Sequence, residues 1–279
     1  MLLPLALTVF LNAAPIRSGV PSASLKSFLT AKPADSRGFT LYRWDRFPSI
    51  LVLDTADFQI QDSMFSRLAH FLEKKGFRGR LLDNTALKQM HGWNAHDYGA
   101  AGLSAFFNAV QREGIILNPE EISLRDLALG EGVLSTVHDR YEPGVGGVIS
   151  ISQSSSLIER RLLLTHESFH GIFFASADYR LFCFKLWDSL SPQTRSFFWV
   201  FLDELGYDAS YRYLAVNEFQ AYLMQQPLRY APAYFERVTE RFAQRDRPPG
   251  EAILRAARRL DDFLETHYGI RAGETLSAP

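Results

Sequence analysis

The chain has 279 residues, 47% of them hydrophobic and 22% charged, with 30 Lys and Arg against 31 Asp and Glu for a formal net charge of −1. Such apolar content suffices for one large core or two modest ones, and the balanced charge, without a Lys/Arg-rich block, excludes the electrostatic footprint of a nucleic-acid or membrane-surface binder. The single cysteine, Cys183, has no internal disulfide partner, and its setting in Leu181-Phe182-Cys183-Phe184 is that of a small buried hydrophobe.

Residues 1–14 open the chain with the apolar stretch Leu2 to Leu11, of signal-peptide length, followed by Ala13 and Ala14. No Lys or Arg precedes it, and cleavage after Ala14 would leave Pro15 next. The segment is read either as a signal, exporting the protein to a periplasmic or extracellular space, or as the opening strand or helix of a cytoplasmic protein, or as a start clipped from a longer chain. No other stretch reaches the roughly 18 apolar residues of a spanning helix, so no stable membrane insertion of the mature chain is expected.

Ser49 to Thr55 (SILVLDT) has the continuous apolar character of a buried strand, and Ile60 to Lys75 places Met64, Phe65, Leu68, Phe71 and Leu72 at helical spacing. Further helices are expected from Tyr98 to Arg112 and after Asn118-Pro119, where Asn suits the N-cap and Pro the first helical position. His91 and His96 fall in a polar, loop-like region. Together with the isolated His70, His138 and His267 they are read as structural.

The Gly/Pro-rich stretch 142–147 divides the chain into an N-terminal α/β part, 15–146, of unassigned role and a mainly helical part, 147–279. Val148 to Ser152 (VISIS) alternates as a half-buried strand, whose edge, if exposed, could pair with an extended peptide. Helices are then expected at Leu157–Phe174, Arg180–Leu190, Pro192–Leu205, Ala209–Gln225, Ala233–Gln244 and Glu251–His267. The last is amphipathic, with Arg258, Arg259, Asp261 and Asp262 on its solvated side. The fold class expected is α+β, mainly helical, with a small mixed sheet against the central helix.

The first helix after the dividing stretch contains His166-Glu167-Ser168-Phe169-His170. The i, i+4 spacing puts both imidazoles on one face, while Glu167, about 100° around the helix, stands beside a shared metal where a general base for water is needed. Leu162 to Leu164 and Ile172 to Phe174 flank the segment, and burying two histidines and a glutamate there is costly unless they are paired or metal-bound. A catalytic zinc takes three protein ligands and keeps one position open. Glu218, 48 positions after His170 in a helix that carries Tyr213, Leu214, Phe219 and Leu223, is the favoured third ligand. Glu204, the competitor, precedes Gly206 at a helix end and suits a solvent-facing charge.

A strand, a His-Glu-x-x-His helix and a later Asn217-Glu218 together resemble the gluzincin branch of the zincin metallopeptidases, over residues 147–226 only. The resemblance implies zinc held by His166, His170 and Glu218, with Glu167 activating the water that attacks a peptide carbonyl. The interval to Glu218, filled by two helices, is longer than in the best-known members. Tyr222, one turn beyond Glu218, is the candidate oxyanion donor on helical spacing alone, the same spacing that core packing produces. The expected function is zinc-dependent hydrolysis of a peptide or protein substrate; the alternatives are a non-catalytic zincin-like binding protein and a zinc amidase acting on a non-peptide or cell-wall substrate.

Overall fold

In the computed structural model, residues 19–30, 34–88, 90–242 and 249–273 are described; residues 1–14 lie outside them. In chain order the elements are β1 (Ser22–Ala23), a 3₁₀ turn (Leu25–Phe28), β2 (Phe39–Trp44), β3 (Phe47–Thr55), α1 (Phe58–Leu72), α2 (Asn84–Leu87), β4 (Ala95–Gly99), α3 (Ala100–Glu113), α4 (Pro119–Gly130), β5 (Leu134–Val137), β6 (Arg140–Pro143) and β7 (Gly147–Ser152). Then follow α5 (Leu157–Ala175), α6 (Ala177–Ser189), α7 (Pro192–Glu204), α8 (Arg212–Met224), α9 (Ala231–Thr239) and α10 (Gly250–Tyr268). The fold is α+β.

One mixed sheet of order β1-β2-β3-β7-β4 organises the molecule, with β7 parallel to β3 and antiparallel to β4. β7 follows the Gly/Pro-rich stretch directly and lies between strands that precede it. The sheet is covered on both faces, which is why β3 reads as an unbroken apolar run. Ile50 and Val52 point into a core with Leu164, Phe169, Ile172 and Phe173 of α5, while Leu51 and Leu53 point into a second core with Phe65, Leu68, Phe106 and Phe107.

The half-buried pattern expected of β7 gives way for the same reason. All six residues are buried, and the Ser150 hydroxyl accepts a hydrogen bond from Gln61 Nε2 at 3.3 Å. Because β7 is interior, it offers no edge to a peptide; that edge belongs to β4, a strand absent from the sequence reading, which had expected a loop around His96 and a helix from Tyr98.

α5 is fixed at its start by a capping box, Ser156 N–H donating to Glu159 Oε2 at 2.8 Å and Glu159 N–H to Ser156 Oγ at 3.3 Å. Arg160, one turn in, makes a bidentate pair with Asp54 of β3 at 2.8 and 2.9 Å and also donates to the carbonyl of Phe28. Further along, a Cβ on Gly171 would meet Ile50 Cγ2 at 3.3 Å, so glycine there lets the helix approach the sheet closely.

Two local expectations change. α8, expected from Ala209, starts at Arg212 without a side-chain cap, and Asp208 before it pairs with Arg78 at 2.6 Å. Asp261, assigned to the solvated side of α10, is buried, accepting from the Ala272 N–H and pairing with Arg271 at 3.2 Å. Cys183 is buried, and burial raises its thiol pKa far above the ordinary range. Among the described residues no helix is long and apolar enough to cross a membrane.

Candidate metal centre

α5 and α8 pack side by side and place His166, His170 and Glu218 in one buried group. His166 Nε2 and His170 Nε2 stand 3.0 Å apart, and Glu218 Oε2 lies 3.5 Å from the first and 3.7 Å from the second. Ligands around a tetrahedral zinc with bonds near 2.1 Å are separated by roughly 3.4 Å, so these three donors fit a single small cation. Two further features suit that role: Glu218 Oε2 is buried with no hydrogen-bond partner, and His166 Nδ1 lies 2.9 Å from Gln225 Oε1. A Nδ1–H donated to that amide oxygen leaves the Nε2 lone pair facing the group. Burial lowers the His170 pKa to about 4, keeping the ring neutral at ordinary pH, as a metal ligand must be.

Glu167 is also buried, and its Oε2 has no partner. Burial first, then the charges of Glu218 and Glu73, raise its carboxyl pKa well above the usual carboxylate range. Tyr222 packs its ring edge-on to His166, with centroids 4.6 Å apart, and its hydroxyl is a hydrogen-bonding partner of Tyr207. Glu204 is exposed at the end of α7 and stands outside the group.

The structure adds residues the sequence reading missed. Asp97, at the centre of β4, accepts from Asn217 Nδ2 at 3.2 Å and puts its other oxygen 3.5 Å from His170 Nε2. Asp97, Glu167 and His170 form a second group of potential ligands that shares His170 with the first. Glu73, at the C-terminal end of α1, accepts from Trp93 Nε1 at 2.8 Å; burial first and then the charge of Glu218 raise its carboxyl pKa, and that of Asp97 is raised by burial first and then by the charges of Glu167 and Glu73. Neither had a usable signal in sequence. Asp97 sits in a strand of only five residues with mixed polarity, and Glu73, followed by Lys74 and Lys75, reads as part of a solvated helix end.

The remaining histidines stand apart from the group. His91 bonds Asp62 at 2.7 Å; His96 stacks on Phe65 and bonds the Tyr98 hydroxyl at 2.9 Å. A cleft of about 530 Å³ opens onto the site, lined by His166, Glu167, Tyr207, Tyr222 and Trp93, and a second cavity of about 430 Å³ lies on the other side of Asp97. No known protein family, curated protein or solved structure matches this chain.

Proposed function

We propose that the protein is a zinc-dependent hydrolase of peptide bonds, with His166, His170 and Glu218 as the metal ligands. The convergence of two imidazole nitrogens and one unpartnered carboxylate oxygen within 3.0 to 3.7 Å carries this reading. A bound zinc ion would supply Lewis acidity, lowering the pKa of water towards about 7 and polarising the carbonyl. Glu167 takes a proton from the attacking water and delivers it to the leaving nitrogen, so that the C–N bond breaks to give a carboxylic acid and an amine. Tyr222, which lines the cleft and partners Tyr207 through its hydroxyl, would donate to the developing oxyanion.

The free edge of β4 supports a peptide as the substrate. The Ala100 N–H bonds the Gly146 carbonyl at 3.0 Å, and alternation from that pair turns the backbone groups of Ala95, Asp97 and Gly99 away from β7. An extended chain can pair there, across the mouth of the cleft.

Elemental analysis of the purified chain tests the reading. One zinc per chain is expected, lost in His166→Ala and Glu218→Ala and kept in Glu167→Gln, which should lose about 10²-fold or more in peptide hydrolysis. Metal-free protein from chelator-free preparation would sink the reading. Loss of zinc in Glu167→Gln with retention in Glu218→Ala would move the ion to the group formed by Asp97, Glu167 and His170.

A further inference from the structure

The zinc reading uses two of the four carboxylates gathered at the site, Glu218 as ligand and Glu167 as base, and leaves Asp97 and Glu73 without a role. Both are buried, and both line the two cavities that meet there. Among the described residues no lysine or arginine forms an ion pair with any of the four. The nearest cation in sequence, Lys74, turns its ammonium to the Gly92 carbonyl at 3.0 Å and to the face of Trp93. One divalent ion offsets two carboxylate charges, so a second positive group fits a site that holds four. Asp97, Glu167 and His170 each offer a ligand atom within 4.8 Å of one another, and among the described residues the buried Glu167 Oε2 has no hydrogen-bond partner.

A second metal ion is a poor occupant of that space. Its nitrogen ligand would be His170 Nε2, the same atom that faces His166 and Glu218, and an imidazole nitrogen has one lone pair. An ammonium group needs only oxygen acceptors, and a desolvated carboxylate binds it strongly. The position narrows the choice of ammonium. Asp97 Oδ2 is 3.5 Å from a proposed metal-ligating nitrogen, so a cation held there sits next to the carbonyl under attack. In a peptide, the amine that close to a scissile carbonyl is the α-amine of the N-terminal residue, two bonds from the carbonyl carbon; a lysine or arginine side chain carries its charge several bonds further away.

Resting on the zinc reading above, we propose that Asp97, backed by Glu73, binds the α-ammonium of the substrate, so that the protein removes single residues from free peptide N-termini. Asn217, which donates to the other Asp97 oxygen from the residue before Glu218, is the positioning residue that ties this subsite to the metal group.

Calorimetric titration of the zinc-loaded full chain with L-leucine hydroxamate and with its N-acetyl derivative, at pH 7, tests the assignment without relying on turnover. The free amine is expected to bind about tenfold tighter or more, from its charge-assisted hydrogen bonds. In Asp97→Asn that preference should vanish while the N-acetyl compound keeps its affinity. Equal or tighter binding of the N-acetyl compound to the wild-type chain would overturn the amine subsite and leave the zinc reading standing, a result that needs no variant to fold. Two zinc ions per chain would also overturn it, by filling the same space with metal. A chain that takes up no zinc would sink both readings.

Discussion

On the zinc reading, a glutamate one position from a ligating histidine serves as a base or as a ligand, and the side chains around Glu167 favour the base. Glu218 reaches both imidazole nitrogens from α8, which leaves Glu167 beside the group with its Oε2 unpartnered. Gln225 acts one step further out, through its contact with His166 Nδ1. Replacing it with Ala should weaken zinc binding by about 10- to 100-fold, measured by competition with a chromogenic chelator, because the imidazole loses the partner that fixes its tautomer. Tyr222→Phe should keep the metal and lower kcat by about 10²- to 10³-fold if its hydroxyl serves the oxyanion; unchanged kcat would return Tyr222 to core packing against His166. The histidine pair was legible in sequence because i, i+4 spacing is a local property of one helix. Asp97 was not, since nothing within a few residues of it marks a site.

The geometry of the centre depends on how α5 lies on the sheet. Two contacts set this: the Arg160–Asp54 pair near its start, both side chains buried, and the close approach at Gly171. Asp54→Ala would leave the Arg160 guanidinium buried without its counter-charge, and a loss of about 3–5 kcal/mol is expected in denaturant unfolding of the metal-free chain. A loss below about 1 kcal/mol would mean that the guanidinium reaches water or another acceptor. The capping box at Ser156 and Glu159 fits the start expected for this helix at Leu157, and the box at Asn118 and Glu121 fits the N-cap expected before Pro119. Strands were harder to read: β3 stood out through its apolar run, while β2 and β4 carry mixed side chains and gain their identity from pairing.

For the molecule as a whole, the group of buried carboxylates should make stability depend on pH and, on the zinc reading, on metal. Glu73, Asp97 and Glu167 have pKa values raised above those of an unfolded chain, about 4, so folding binds protons there and the stability they contribute declines as pH rises above that value. His170 and His96, lowered to about 4 and about 3 chiefly by burial, act in the opposite direction, costing stability only as pH falls below about 6.5. Lys74, lowered to about 8 by burial, imposes its full cost below that value and is relieved only above it. Between pH 6.5 and 8 the histidines and Lys74 contribute no slope, so any change that these groups cause in the melting temperature of metal-free protein across this window should be a fall. Zinc at about a thousand times its dissociation constant should add about 4 kcal/mol, seen as a rise of several degrees, and should flatten the slope. A metal-free chain whose stability rises from pH 6.5 to 8 would contradict the burial of these groups as carboxyls.

The sequence by itself determined most of the helices, the cap at Asn118, the strand β3, the α+β class and the pairing of His166 with His170 on one helix face. All of these follow from periodicity and capping chemistry, which act over a few residues. Glu218 was also within reach, because its helix carried enough apolar neighbours to turn it inward. Only the tertiary structure decided that β7 is interior, that β4 is an edge strand, and that Asp97 and Glu73 stand beside the His166, His170 and Glu218 group. Strand order and the meeting of β4, α1 and α5 arise from contacts between residues dozens of positions apart, and such contacts leave no mark in local spacing.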